Sequence, residues 1–275
     1  MAEKVWFITG ASRGFGREWA TAALERGDRV AATARRVSDL DDLVTAFGDA
    51  VLPQQLDVTD RAADIAAVNA AADHFGRLDV VVNNAGYGHY GFIEELSEED
   101  ARAQFDANVF GLLWVTQAAL PIFRRQGGGH LVQVSSLGGH IASGQALGVY
   151  HASKWAVEAL SEATASETAQ WGVKVTLIEP GAFGTDWSGP SSKHSAPLPE
   201  YDDLRAAAEE RWANPPVPAG DPRATSAAVL AVVDADEPPL RLLLGTRPLP
   251  LIRAAYESRL AEWEKWNDVS VAAQG

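Results

Sequence analysis

Apolar positions along the first two thirds of the chain come in short, β-branched runs separated by longer stretches of helical period. The runs cover residues 4–9, 29–34, 51–55, 78–82, 129–134 and 174–178, with a last one at 241–244. Near-continuous apolar character over so few residues is the mark of parallel strands covered on both faces. Helical patterns fill the intervals: 14–26, 38–47, 60–75, a long one at 98–125 interrupted near Pro121, 150–171 and 222–233. This alternation predicts an α/β fold: one doubly wound Rossmann-fold domain over 1–275, with a seven-stranded parallel sheet and helices on both faces.

The pattern changes over 186–221, which carries Pro190, Pro197, Pro199, Pro215, Pro216 and Pro218 with Trp187, Tyr201 and Trp212. It reads as a substrate lid with one helix at 199–212, or as an ordinary surface excursion. A helical tail at about 247–275 is amphipathic over 252–266, with Trp263 and Trp266, and packs on a partner subunit or on its own domain.

The candidate chemistry sits where strands end. After the first strand come Gly10, Ala11, Ser12, Arg13, Gly14, Phe15 and Gly16, then a helix. Gly10 permits a tight turn, Gly14 lets backbone approach a pyrophosphate, and Gly16 lets the helix lie close to the sheet. The helix N-terminus favours the phosphates. An NAD-selective site puts an acidic residue after the second strand; here stand Ala34, Arg35 and Arg36. Arg13 and Arg35 fit a 2′-phosphate, favouring NADP(H) over NAD(H), whereas Arg36 reads as a solvated charge. Asp57 follows the third strand, placed to accept from an adenine amino group or to start a helix. Asn83, Asn84, Ala85 and Gly86 leave room at the end of the fourth. Pro180, Gly181, Phe183 and Thr185 follow the sixth, where Thr185 can bond a carboxamide.

Tyr150 and Lys154, four apart, share one face of a helix. A free phenol has a pKa near 10 and serves poorly as an acid or base at neutral pH; a neighbouring ammonium lowers it. Ser136, in the turn after an apolar strand, can donate to a substrate oxygen. Asn108 lies inside a helical stretch, where Asn is a poor former. Either a local distortion frees a carbonyl to hold a water beside Lys154, or neighbouring backbone satisfies the buried amide; both can hold together.

Composition narrows the possibilities. The 275 residues are 47% hydrophobic, enough for a large core. With no cysteine, disulfides and thiolate chemistry are excluded; no metal site is read from the sequence. A reducing compartment, the cytoplasm, fits the lack of cysteine and of a leader or membrane-length apolar run. The net charge of −14 argues against nucleic acid or an anionic membrane as partner.

The ordered set Thr-Gly-x-x-x-Gly-x-Gly, Asn-Asn-Ala-Gly, Ser before Tyr-x-x-x-Lys, and Pro-Gly-x-x-x-Thr resembles the short-chain dehydrogenase/reductase family over about 4–187. The texture of the middle segment is closest to hydroxysteroid and retinol dehydrogenases. The resemblance implies a catalytic tetrad of Asn108, Ser136, Tyr150 and Lys154. Ser136 polarises the carbonyl, Tyr150 moves the proton, Lys154 lowers the Tyr150 pKa and binds the nicotinamide ribose, and Asn108 holds a relay water. Ser136 is taken over Ser135 as the nearer to Tyr150. The cofactor residues implied are Gly10, Ser12, Arg13, Gly14, Phe15, Gly16, Arg35, Asp57, Val58, Asn84, Ala85, Gly86, Tyr150, Lys154, Pro180, Gly181, Phe183 and Thr185. The expected reaction interconverts a carbonyl and an alcohol with NADP(H). An epimerase or dehydratase on this scaffold has a differently spaced glycine turn and a longer C-terminal domain, and a non-catalytic nucleotide sensor loses Tyr or Lys. His89, Tyr90, His140, Gln145 and Trp187 are candidates to face a hydrophobic substrate, although a lone His such as His140 is more often packed or solvated. A homodimer or homotetramer through the helices at 98–125 and 150–171 is implied.

Overall fold

The computed structural model describes residues 3–142, 146–189, 192–215 and 217–275. Seven parallel strands form one sheet: β1 (Val5–Ile8), β2 (Arg29–Ala34), β3 (Val51–Gln55), β4 (Val80–Asn83), β6 (Gly129–Val134), β7 (Val173–Pro180) and β9 (Arg241–Leu244). Their order across it is β3-β2-β1-β4-β6-β7-β9. The chain therefore winds one way from β1 and then the other, and the order reverses between β1 and β4. Ligands bind outside the carboxyl ends of strands at such a reversal.

Both faces are covered, which explains the unbroken apolar runs. On β1, Trp6 and Ile8 pack into one core with Trp19, Ala20 and Val229, from α1 (Gly14–Glu25) and α8 (Thr225–Asp234). Val5 and Phe7 pack into the other with Val68, Val115 and Phe123, from α3 (Arg61–Phe75) and α5 (Gly111–Gln126). The remaining helices are α2 (Asp41–Phe47), α4 (Glu98–Phe105), α6 (Gly148–Thr168), α7 (Asp202–Ala213), α9 (Pro248–Lys265) and α10 (Asn267–Ala272).

The long helical stretch is broken elsewhere than expected. Pro121 lies inside α5 without ending it. Val115, Ala118, Ala119, Ile122 and Phe123 around it are buried, and this packing outweighs the lost backbone hydrogen bond. The break falls at Asp106–Phe110, a π-helical turn between α4 and α5 that contains Asn108. Sequence pattern also gave no sign of β5 (His89–Tyr90) and β8 (Lys193–His194), a two-stranded parallel pair outside the main sheet. That pair sets Lys193 and His194 beside the chain that follows β4. Among the described residues, no helix is long and apolar enough to cross a membrane.

Candidate active site

The glycine turn after β1 is held by side chains from the end of β4. Thr9 Oγ1 accepts from the backbone of Asn84 at 2.9 Å and of Ala85 at 3.0 Å. Asn84 Nδ2 donates to Thr9 O at 2.9 Å and Gly10 O at 3.0 Å. Gly10 and Gly14 have φ of +66° and +58°, a region that favours glycine. Gly16 lies so close to Gly10 that an added Cβ would stand 2.5 Å from Gly10 O. Asn84 thus shapes the cradle through its amide. Thr9, which opens the Thr-Gly motif, supports the cradle through its hydroxyl.

This cradle fits a dinucleotide. Helix α1 begins with no side-chain cap and no acidic residue in its first turn, so its leading N–H groups remain for an anion. A Cβ on Gly14 would meet nothing nearer than Thr185, at 3.8 Å. Phe15 and Phe183 meet edge to face at 5.3 Å, joining the two sides of the crevice. Arg13 and Arg35 are both exposed, and neither forms an ion pair among the described residues. Arg36 pairs with Asp39 at 3.0 Å and is 79% exposed, in keeping with a solvated charge. Asp57 Oδ1 accepts from Thr59 N and Oγ1 at 3.0 and 2.9 Å, while Asp60 caps α3. Val58 packs behind this turn against Gly111. Gly181 N donates to Leu244 O at 3.0 Å, fixing the turn after Pro180.

Tyr150 and Lys154 lie on the first turns of α6, both buried. Ser136 caps the short turn Leu137–Gly139, its Oγ accepting from Gly138 N at 3.0 Å. The Ser136 hydroxyl lies near enough to the Tyr150 phenol to pull its pKa down. Ser135 Oγ is buried without a partner among the described residues, so Ser136 is the serine that meets the phenol. Asn108 Oδ1 accepts from Tyr87 N at 3.0 Å, and its Nδ2 donates to Tyr87 O at 3.0 Å and Ser153 Oγ at 3.1 Å. Both expectations for Asn108 therefore hold in part: the helix is distorted there, and backbone satisfies the side chain. A Cβ on Gly86 would lie 2.9 Å from Asn108 Oδ1 and 3.9 Å from Lys154 Nζ, so both groups border Gly86.

The electrostatics depart from the simplest expectation. Lys154 Nζ donates to Val134 O at 2.8 Å and sits 5.9 Å from the centre of the Tyr150 ring. Burial pushes the Tyr150 phenol well above its usual pKa, against the downward pull of Ser136. Burial also brings Lys154 down to about 8, with Glu158 opposing. Desolvation, not the ammonium, sets the phenol in this arrangement.

Aromatic rings close the site. The Trp187 ring is 4.8 Å from that of Tyr150 and 5.9 Å from that of Tyr90. Tyr90 stacks on His194 at 5.0 Å and meets Trp212 edge-on at 5.0 Å, and burial pushes its phenol up to about 12. His89 is fully buried, 2.9 Å from Ser195 Oγ, with its backbone N–H donating to Gln104 at 2.8 Å; burial depresses its pKa. Gln145 lies outside the described residues. His140 is engaged away from this aromatic group, 2.8 Å from Glu179: the buried carboxylate captures it.

Residues 4–196 match the family model described as short chain dehydrogenase. The chain belongs to the short-chain dehydrogenase family. It is 42% identical to oxidoreductase BOA17 of Botryotinia fuckeliana, over 98% of this chain and 99% of that one. A short-chain dehydrogenase from Streptomyces avermitilis superposes with a TM-score of 0.92 at 38% identity, covering 99% of this chain and 98% of that one. An alcohol dehydrogenase from Thermococcus sibiricus, solved with 5-hydroxy-NADP, gives 0.74 at 29% identity over 88% and 96%. Other solved proteins of this fold carry NADP or NAD. This short-chain dehydrogenase is thus an oxidoreductase on the predicted seven-stranded frame.

Proposed function

We propose that this short-chain dehydrogenase interconverts a ketone or aldehyde and its alcohol with NADP(H), and that Tyr150 is the acid and base. The carrying observation is the buried Tyr150 with Lys154 one turn along α6 and the Ser136 hydroxyl acting on the phenol, at the strand ends where the order reverses between β1 and β4. A bound nicotinamide supplies or accepts the hydride. In reduction, the Tyr150 hydroxyl gives its proton to the carbonyl oxygen and Ser136 donates a hydrogen bond to the same atom. Lys154 would hold the ribose hydroxyls of a bound cofactor, and its ammonium, 5.9 Å from the Tyr150 ring, would favour the phenolate. Asn108 anchors the Tyr87 backbone and keeps the π-turn that offers a carbonyl to a relay water. Tracing the oxidation of NADPH by absorbance across a panel of ketones and aldehydes tests the reading; no turnover with any of them would count against it.

The exposed guanidinium groups of Arg13 and Arg35, in no ion pair among the described residues, support NADP(H). A charge-assisted bond to a 2′-phosphate contributes about 1.5–3 kcal/mol. Arg35→Ala is therefore expected to lower the NADPH-to-NADH ratio of kcat/KM by about tenfold or more, read from initial rates with both cofactors. An unchanged ratio would move the phosphate contact elsewhere.

The 186–221 segment acts as the lid. Tyr90, Trp187, His194 and Trp212 offer an apolar wall, which suits a bulky hydrophobic substrate. Trp187→Ala should raise KM for such a ketone more than it changes kcat, because the ring contacts Tyr150 without hydrogen-bonding to it; an unaltered KM would exclude Trp187 from the pocket. Exposed Phe110 and Trp155, on the π-turn and α6, support pairing of subunits through these helices. The lack of cysteine supports a cytoplasmic setting.

A further inference from the structure

Beside the Ser136 turn lies a charged cluster that the reaction above does not use. His140 follows the turn Leu137–Gly139, and Glu179 precedes Pro180 on β7. His140 Nε2 is 2.8 Å from Glu179 Oε2. Its Nδ1 is 3.2 Å from the Tyr256 hydroxyl on α9, whose ring also lies under the Arg259 guanidinium at 5.4 Å. From β9, Arg241 Nε lies 3.0 Å from Glu158 Oε2 and 3.6 Å from Glu179 Oε1, and its Nη2 lies 2.6 Å from Glu162 Oε2. On α6, His151 faces Gly138: a Cβ there would meet its ring at 2.6 Å. The turn itself rests on Glu158, since a Cβ on Gly139 would stand 2.9 Å from Glu158 Cγ.

Two features give this cluster a purpose. The Glu179 side chain is only 1% exposed, yet neither carboxylate oxygen has an aligned hydrogen-bond donor among the described residues. Its close contact with His140 is therefore held mainly by charge. The carboxylates of Glu158, Glu162 and Glu179 share the Arg241 guanidinium, and Glu158 also acts on the Lys154 ammonium; a charged imidazole gives the buried Glu179 a cation nearer than Arg241. His140, Glu158 and Glu179 also have the spacing of metal ligands, with atoms within 4.8 Å of one another. Arg241 already brings a cation to both carboxylates, and a divalent ion between them would face that guanidinium at close range.

We propose that His140 and Glu179 are positioning residues whose ion pair locks the turn bearing Ser136 to the strand end bearing Pro180 and Gly181. The proposal rests on the reading of Ser136 and Tyr150 given above for its effect on turnover, but not for its effect on the fold. Losing the lock lets Ser136 drift from the phenol, and a misplacement near 1 Å can cost about a hundredfold in rate. The Glu179 carboxylate, 2.8 Å away, raises the His140 pKa against desolvation, and burial raises that of Glu179; between them the pair retains one proton. A group whose folded pKa is raised contributes stability below its unfolded pKa, and that stability is lost as pH rises through the folded value. The lock is therefore firm at pH 6 and weakened at pH 9.

The test uses the full chain with His140→Gln, which is neutral, and His140→Arg, which is charged at both pH values. Thermal unfolding at pH 6 and pH 9, and hydrogen exchange of residues 137–141, need no substrate. The wild type should lose more Tm than His140→Arg between the two pH values. His140→Gln should exchange faster over 137–141 at pH 6, with its pH dependence reduced. With any ketone the wild type turns over, His140→Gln should lower kcat by about ten- to hundredfold with NADPH affinity retained, and His140→Arg should restore most of it. The same pH dependence of Tm in all three proteins, together with unchanged exchange, would overturn the lock. So would loss of wild-type stability on dialysis against EDTA, which would mark a metal site instead. If instead Tyr150→Phe kept full turnover, the proposed function would fail while the Tm and exchange results still decided the lock.

Discussion

Tyr150→Phe is expected to lower turnover in both directions by about 10²–10⁴-fold, the usual contribution of a positioned acid or base, with NADPH binding unchanged. The variant isolates chemistry from folding. The ring stays against Trp187, 4.8 Å away, so no cavity opens. The lost hydroxyl leaves Ser136 Oγ its bond from Gly138 N at 3.0 Å, so the turn keeps its cap. Fluorescence titration with NADPH and a thermal melt should match the wild type, while steady-state reduction collapses. Retained turnover would remove Tyr150 from the reaction.

The same phenol sets the pH dependence. Burial holds its pKa above the ordinary tyrosine value in the free protein, so the protonated acid needed for reduction persists across the neutral range. Oxidation needs the phenolate, and its kcat/KM should rise with pH. Lys154, brought down to about 8 by burial, loses its charge above that pH, and cofactor affinity should fall there. Opposite slopes for the two directions are the signature to look for in initial rates; parallel slopes would point to a different acid.

What was legible in the sequence follows from local physics. The strands could be read because both faces of each are covered, so Phe7 and Trp6 alike had to be apolar. Tyr150 and Lys154 could be paired because four residues bring side chains onto one helical face. The π-turn announced itself through Asn108, whereas Pro121 pointed to the wrong place because packing decides whether a helix survives a proline. Contacts between distant segments left no local trace. His140 and Glu179 are 39 positions apart with no shared period, and β5 and β8 are two residues each, too short for any alternation. Lys154 was expected to act on the phenol, but the carbonyl it binds belongs to Val134, 20 residues earlier. Chemistry carried by a motif is therefore readable, while the charge state of that motif depends on burial that only the fold reveals.

Gly16→Ala is expected to damage both cofactor binding and stability. An added methyl would stand 2.5 Å from Gly10 O and 2.5 Å from Asn84 Nδ2. The first is backbone, pinned in a positive-φ turn, and the second already donates to Thr9 O and Gly10 O. Nothing there can swing aside, so either α1 tilts away or the Asn84 bridge breaks. Overpacking of this kind costs about 1–3 kcal/mol, a Tm lower by roughly 2–10 °C at this chain length. Moving the α1 N-terminus by a few tenths of an ångström also spoils its aim at a pyrophosphate, so NADPH affinity should fall by at least about tenfold, in proportion to the strained contacts. Gly27→Ala is the control. Gly27 has φ of +94° but nothing within 4 Å of its added Cβ, so backbone strain should cost stability there and leave NADPH affinity intact. If Gly16→Ala lowered Tm without weakening NADPH, the turn would be a packing device only, and the dinucleotide would have to be held elsewhere along the strand ends.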